Sequence, residues 1–147
     1  MVTILELPFP PALSGYFGVF RGRKILSKRG REYKKDVQRI CMLERVKMFE
    51  TERLEVCVML YPPTRRKCDL DNYMKALLDA LQAGGAYADD SQIDKLIITR
   101  GPVDKDGPGV VVSICEIGEA QQDIADEIAA NLGELLATAL HTSEVAH

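Results

Sequence analysis

At 147 residues, with 46% hydrophobic and 28% charged side chains, the chain has the composition of one globular domain that buries its own core. No apolar run approaches the ~20 residues of a membrane helix, and the N-terminus is unlike a signal peptide, so we expect a cytoplasmic protein without a membrane partner. The four cysteines are scattered without a C-x-x-C pair, which argues against zinc and favours reduced, mostly buried thiols.

Charge is divided unevenly along the chain, although the net charge is only −3. Residues 1–67 contain 15 Lys/Arg and 7 Asp/Glu, whereas residues 68–147 contain 4 and 15. A phosphate backbone responds to a local patch of charge rather than to the average over the protein. The basic N-terminal part therefore predicts a nucleic-acid partner.

A strand is predicted over Val2–Leu7 and is followed by a loop over 12–28, in which basic residues alternate with Tyr and Phe. The loop suits an arm whose rings stack on exposed bases and whose cations meet phosphates. It also suits a long loop that its aromatic side chains fix to the core. A helix is predicted from Ser27 to about Met48, and its basic first turns form either a DNA surface or an ordinary solvated face.

Three further strands are predicted at Leu54–Tyr61, Ile93–Arg100 and Val110–Ile117. The segment between the last two is rich in Gly, Pro and Asp, which favours an antiparallel hairpin. From Glu119 apolar residues recur at helical spacing, which predicts an amphipathic helix that packs on its own domain or seals a dimer.

The predicted order β-α-β-α-β-β-α indicates an α/β (α+β) fold in a single domain. We expect a mixed sheet of about four strands flanked by helices. Residues 1–118 form this domain, and residues 119–147 form the appended helix and tail.

Acidic residues stand at both ends of a helix predicted over 72–83. Asp69 and Asp71 precede it, and Asp90 follows the Gly84-Gly85 stop. The helix rises roughly 18 Å at ~1.5 Å per residue. The return to Asp90 spans up to about 23 Å when extended, so the acidic ends can meet.

Three carboxylates at one point repel unless a cation lies between them, and Mg²⁺ accepts oxygen ligands. Lys75 lies one helical turn after Asp71, and the basic run Arg65, Arg66 and Lys67 lies just upstream. Carboxylates for a metal, a lysine beside them and nearby cations are what phosphodiester hydrolysis requires.

Each part of this motif also has a structural interpretation. Asp71 suits an N-cap, Asp71 with Lys75 suits an i,i+4 ion pair worth ~0.5 kcal/mol, and Asp89-Asp90 suits an ordinary turn. Taken singly, each structural interpretation is favoured; taken together, with the spacing and the basic run, the residues favour the metal site, and much of that preference comes from the family resemblance described below. Other motifs fit worse: an EF-hand loop has Met74 where it requires Gly, there is no phosphate-binding glycine loop, and both histidines fall in the C-terminal tail.

This stretch resembles the RusA-type Holliday junction resolvases, a family of crossover junction endodeoxyribonucleases. The likeness extends from about Ile4 to Ile117, and the acidic spacing is its specific part. The matching features are D-L-D-N at 69–72, Lys75, D-D at 89–90, L-P-F-P-P at 7–11 and R-G-R at 21–23.

The resemblance implies that Asp69, Asp71 and Asp90 are catalytic carboxylates that hold Mg²⁺, with Lys75 as a catalytic partner. It implies a bacterial or phage-encoded endonuclease that nicks four-way DNA junctions symmetrically as a homodimer and uses no nucleotide cofactor. The predicted DNA-binding residues are Arg21, Arg23, Lys24, Lys28, Arg29, Arg65, Arg66 and Lys67.

Two positions depart from the family pattern, and both concern DNA contacts more than the metal. Cys68 stands where such proteins usually have a basic residue, and Ala12 follows the two prolines where they usually have Asn. The alternative function is a non-catalytic nucleic-acid-binding protein whose aspartates only cap and solvate. Salt-dependent binding without nicking, with or without Mg²⁺, would distinguish it.

Overall fold

The computed structural model describes residues 1–107, 109–118 and 130–134. The strands within these residues are β1 (Val2–Pro8), β2 (Phe17–Phe20), β3 (Arg23–Leu26), β4 (Leu54–Tyr61), β5 (Ile93–Arg100) and β6 (Gly109–Glu116). The α-helices are α1 (Leu13–Tyr16), α2 (Lys28–Leu43) and α3 (Met74–Ala83), with 3-10 turns at Leu70–Tyr73 and Asp90–Gln92.

Four strands form a mixed sheet in the order β1–β6–β4–β5, and β2 pairs with β3 in a separate hairpin. Strand β4 is parallel to β5 and antiparallel to β6. Its alternating side chains explain the central position, because Leu54, Val56, Val58 and Leu60 are all buried on one face. Side chains of α2 and α3 join them in one core. The predicted fold class, a single α+β domain with a mixed sheet and flanking helices, is confirmed.

The predicted hairpin between the last two strands is wrong. Strands β5 and β6 lie on opposite sides of β4. The connection after Arg100 therefore passes the end of β4 instead of making a tight turn. The Gly, Pro and Asp residues of this connection correctly predict that the chain turns, but they do not determine that β4 lies between β5 and β6. Gly101 is held against β4 by a hydrogen bond from its N–H to the Leu60 carbonyl (2.7 Å).

The prediction of a loop over 12–28 is also wrong. The segment contains α1 and the β2–β3 hairpin, whose turn residues Arg21 and Gly22 have φ of 50° and 74°. Positive φ at both turn positions matches the right-handed twist of a two-stranded ribbon. An arginine at such a position is unusual, which is why the sequence gives a weak hairpin signal.

Helix α2 begins where predicted and ends earlier. Ser27 caps it by accepting a hydrogen bond from the Gly30 N–H (3.0 Å). The helix stops at Leu43 and not at Met48, because Arg45 turns into the left-handed region (φ 53°). The Val46 N–H then donates to the Cys41 carbonyl (3.0 Å), which satisfies the last turn in a Schellman arrangement.

The predicted helix from Glu119 lies outside the described residues except for 130–134, which are helical. None of the helices in the described part of the chain is long and apolar enough to cross a bilayer.

Candidate active site

Asp71 lies on the 3-10 turn that leads into α3, and Asp69 directly precedes this turn. Leu70 and Tyr73 in this turn pack on the core, which leaves the two aspartates exposed to solvent. The prediction that Asp71 caps the helix is wrong, because α3 begins at Met74 and no side chain in the described turn makes a capping bond to it. Asp71 therefore has no capping role that would account for its position.

Lys75 lies in the first turn of α3 and pairs with Asp79, one turn further along (Nζ to Oδ1, 3.1 Å). The second carboxylate oxygen of Asp79 accepts a hydrogen bond from the Tyr16 hydroxyl (3.0 Å), which reaches it from α1. Neither Asp79 nor Tyr16 was singled out from the sequence. The i,i+4 spacing to Lys75 was the available signal for Asp79, whereas Tyr16 is remote in sequence and gave none.

Asp89 and Asp90 have different environments although they are neighbours. Asp89 caps the 3-10 turn: its carboxylate accepts from the Ser91 N–H (2.8 Å), and its own N–H donates to the Gln92 side chain (2.9 Å). These hydrogen bonds to its carboxylate, chiefly from Ser91, hold the pKa of Asp89 below its ordinary value. Asp89 is thus a structural residue, as the alternative interpretation of this pair allowed.

The exposed Asp90 is held beside α3 through its backbone, whose N–H donates to the Gln82 side chain (3.0 Å). Burial raises the pKa of Tyr87, and the negative charges of Asp90 and Asp79 raise it further. Gln82 follows Asp79 by three residues and so lies on the same face of α3, and its bond to the Asp90 N–H brings the return segment alongside that face.

The donors at this site fit a hard divalent cation by their chemistry, since Asp69, Asp71 and Asp90 are exposed carboxylates. Within residues 1–107, 109–118 and 130–134, however, no three Asp, Glu, His or Cys side chains are close enough together to hold a metal ion. The structure thus shows no preassembled cage. Mg²⁺ is usually bound by one or two carboxylates together with water and substrate phosphates, and this arrangement suits such binding.

Arg100 is a third residue that the sequence did not single out. From the end of β5 its guanidinium donates to the Cys68 carbonyl (2.7 Å) and lies 3.0 Å from the Cys68 sulfur. A cation is therefore present directly before Asp69, at the position where Cys68 departs from the family pattern. The parallel pairing of β4 and β5 explains this, because both strands end at the same edge of the sheet.

The predicted DNA-binding residues lie in two regions. Arg21, Arg23 and Lys24 are exposed on the β2–β3 hairpin, beside the exposed apolar residues Val19 and Phe20. The second region is a cleft of about 310 Å³ next to the start of α3, whose lining includes Phe9, Arg29, Arg66, Lys67, Cys68 and Tyr73. Arg65 is exposed in the same segment, and Lys28 pairs with Glu32 on the surface of α2 (3.9 Å).

The cleft places cations around one aromatic hydroxyl. Burial raises the pKa of Tyr73 and so does neighbouring Cys68, whereas the charges of Arg100 and Arg29 act in the opposite direction. The Tyr73 ring also packs edge-on against Phe9, with ring centroids 4.8 Å apart. A cleft with an aromatic wall and several guanidinium and ammonium groups suits a nucleic-acid strand.

Comparison with known proteins gives matches that include the start of α3, the aspartates and the cleft. The family described as Endodeoxyribonuclease RusA matches residues 8–115. Crossover junction endodeoxyribonuclease rusA of Enterobacteria phage HK97 is 38% identical over 95 residues, which cover 65% of this chain and 79% of that protein. Crossover junction endodeoxyribonuclease RusA of Escherichia coli (strain K12) and rusA of Enterobacteria phage 82 are each 32% identical over 114 residues, covering 78% of this chain and 94% of each relative.

Proposed function

Because the chain belongs to the RusA endodeoxyribonuclease family, we propose that it is a Mg²⁺-dependent endonuclease that resolves four-way DNA junctions in recombination and repair. The observation that supports this most directly is the start of α3. There two exposed aspartates, Asp69 and Asp71, precede Lys75, and the basic cleft opens beside them. Carboxylates next to cations suit a phosphodiester, which requires a metal for catalysis and positive charge for binding.

In this proposal Asp69, Asp71 and Asp90 would supply carboxylates for the cation, one or two of them as direct ligands and the rest through its bound water, because no three in the described residues are close enough together to bind it directly. Bound Mg²⁺ supplies a Lewis acid that activates water and neutralises charge on the phosphate. Exposed carboxylates can take up a hydrated cation without first giving up a structural role. Lys75 places its ammonium where negative charge develops on the phosphoryl oxygens.

The two basic regions hold the junction through its phosphates. The cleft lies beside the carboxylates and fixes the strand that is cut, while the hairpin with Arg21, Arg23 and Lys24 contacts a neighbouring arm. Phosphate contacts fix position and orientation without reading bases, so recognition depends on DNA shape. Two symmetric nicks require two active sites, and one site per chain implies a homodimer with two-fold symmetry.

Neighbouring aspartates provide a matched test of the site. Asp71→Asn and Asp90→Asn each remove one anionic ligand while keeping the shape of the side chain, so cleavage of a labelled junction in Mg²⁺ should fall by orders of magnitude. Asp89→Asn is the control, because asparagine also caps a helical turn and should leave cleavage near the wild-type rate.

Junction binding by these variants is measured separately by gel shift without Mg²⁺. Binding should persist or tighten in Asp71→Asn, because a carboxylate that repels phosphate has been removed. Cleavage at the wild-type rate by Asp71→Asn would refute the assignment of the carboxylates. A protein that binds junctions in a salt-dependent way and never nicks them, with or without Mg²⁺, would instead be a non-catalytic nucleic-acid-binding protein.

A further inference from the structure

The Asp79 carboxylate is held between two donors that come from different parts of the fold. One oxygen accepts from the Lys75 ammonium (3.1 Å) and the other accepts from the Tyr16 hydroxyl (3.0 Å). The Asp79 side chain is only 19% exposed, whereas Lys75 is 52% exposed. Tyr16 therefore fixes one oxygen of the Asp79 carboxylate from within the fold. The other oxygen accepts from Lys75, whose side chain reaches the solvent.

Helix stability alone does not explain this pair. A basic residue that precedes its acidic partner at i,i+4 is the weaker of the two possible orders on a helix, because it opposes the helix dipole. A pair with a half-exposed lysine also contributes little to stability. The bond from the buried Tyr16 hydroxyl satisfies that hydroxyl and also fixes the Asp79 carboxylate independently of the helix.

Tyr16 is a rigid support for the carboxylate. It is 0% exposed, and its backbone carbonyl accepts a hydrogen bond from the Ser27 N–H (3.0 Å) at the start of α2. The Ser27 hydroxyl in turn donates to the Gly15 carbonyl (2.6 Å), so α1 is joined to α2 on both sides of the tyrosine. Burial raises the pKa of Tyr16, and Asp79 raises it further, so the phenol stays protonated and continues to donate.

We propose that Asp79 is a positioning residue for Lys75 and that Tyr16 fixes Asp79 in the orientation this requires. A lysine has a flexible four-carbon chain, and its ammonium acts on a reacting phosphate only while it is held at one place. The Asp79 carboxylate restricts Lys75 to the side of α3 that also carries Asp90. This inference rests on the proposed function, because it assigns Asp79 a role only through Lys75.

The test separates turnover from binding. Asp79→Asn removes the charge that holds the ammonium but keeps an oxygen that can accept from Tyr16. The single-turnover cleavage rate at saturating protein should fall by about 10- to 100-fold, the loss expected from misplacing a reacting group by about 1 Å. The dissociation constant for the junction, measured without Mg²⁺, should stay at its wild-type value, since in this proposal Asp79 acts through Lys75 and not on the DNA.

Tyr16→Phe is a second variant that deletes one hydroxyl and leaves the Asp79–Lys75 pair in place. It should lower the same rate by a smaller factor, because the carboxylate can then rotate. Tyr33→Phe is the matched control: Tyr33 is also buried, and its hydroxyl donates to the Pro8 carbonyl (2.9 Å). That variant should lose thermal stability without a loss of cleavage rate.

A double-mutant cycle shows whether Asp79 acts through the lysine. Adding Asp79→Asn to Lys75→Ala should leave the residual rate unchanged. The inference is overturned if Asp79→Asn cleaves at the wild-type rate, or if it lowers the rate by the same factor when Lys75 is absent. If Lys75→Ala itself cleaves normally, the proposed role of Lys75 fails and the positioning role fails with it. If Lys75→Ala cleaves slowly and Asp79→Asn cleaves at the wild-type rate, only the positioning role of Asp79 is contradicted.

Discussion

Gly30, in the first turn of α2, offers a direct test of how the N-terminal segment packs. A Cβ atom at this position would lie 2.6 Å from the Tyr16 carbonyl oxygen and 3.0 Å from a ring carbon of the same residue. The carbonyl is backbone and already accepts from Ser27, so it cannot rotate away. Alanine gains about 1 kcal/mol over glycine in a helix, whereas overpacking costs about 1–3 kcal/mol, so Gly30→Ala should destabilise the protein by up to about 2 kcal/mol.

Urea unfolding measures this change in the free energy of unfolding. Gly15→Ala is the control, because nothing lies within 4 Å of a Cβ at that position in α1. The control should be neutral or stabilising by about 0.4–1 kcal/mol. If Gly30→Ala is more stable than the wild type by the ~1 kcal/mol that helix propensity alone predicts, the close approach of α2 to Tyr16 is wrong. Displacement of Tyr16 should also lower the cleavage rate, since it moves the hydroxyl that holds Asp79.

Three further predictions concern the DNA surface and the C-terminal segment. Neutralising Arg65, Arg66 and Lys67 together should flatten the salt dependence of junction binding, with the slope falling by about 0.9 for each phosphate that these side chains neutralise in the wild type. Arg100→Gln should lower this slope by about 0.9, the value for one phosphate. Lys95→Gln is the control on the same strand and should leave the slope unchanged, because Lys95 pairs with Glu55 (3.4 Å). Equal slopes for the two variants would exclude Arg100 from the DNA surface. Truncation after Gly118 should destabilise the protein by ~25 cal/mol for each Å² of apolar surface that the predicted C-terminal helix covers. If the full-length protein is the proposed dimer, a truncated protein that sediments as a monomer would place the predicted helix in the dimer interface, and one that remains dimeric would place it on its own domain.

The two long helices show which boundaries a sequence can predict. Helix α3 ends as predicted because Gly85 supplies the positive φ (80°) that its Schellman turn requires, and glycine is the residue expected there. Helix α2 ends with the same arrangement of hydrogen bonds, but the residue with positive φ is Arg45. An arginine carries no signal for a helix end, so the prediction continued to Met48.

Contacts between remote segments account for most of what the sequence did not predict. The alternation in β4 predicted a strand with one buried face, but no local pattern could specify that this strand lies between β5 and β6. The acidic motif and Lys75 were found from their spacing, and their roles stay predictions. Tyr16 and Arg100 reach the site through the tertiary fold, which brings α1 against α3 and the end of β5 against Cys68.

Cleavage of a supercoiled plasmid that extrudes a cruciform tests the central claim most directly. Paired nicks made within one encounter convert the plasmid to linear DNA, whereas independent single nicks relax it and leave a nicked circle. We predict linear product in Mg²⁺, no product in EDTA, and no linear product from Asp71→Asn. Linear product in EDTA, or no cleavage of the cruciform in Mg²⁺ by protein that binds it, would contradict a metal-dependent junction resolvase.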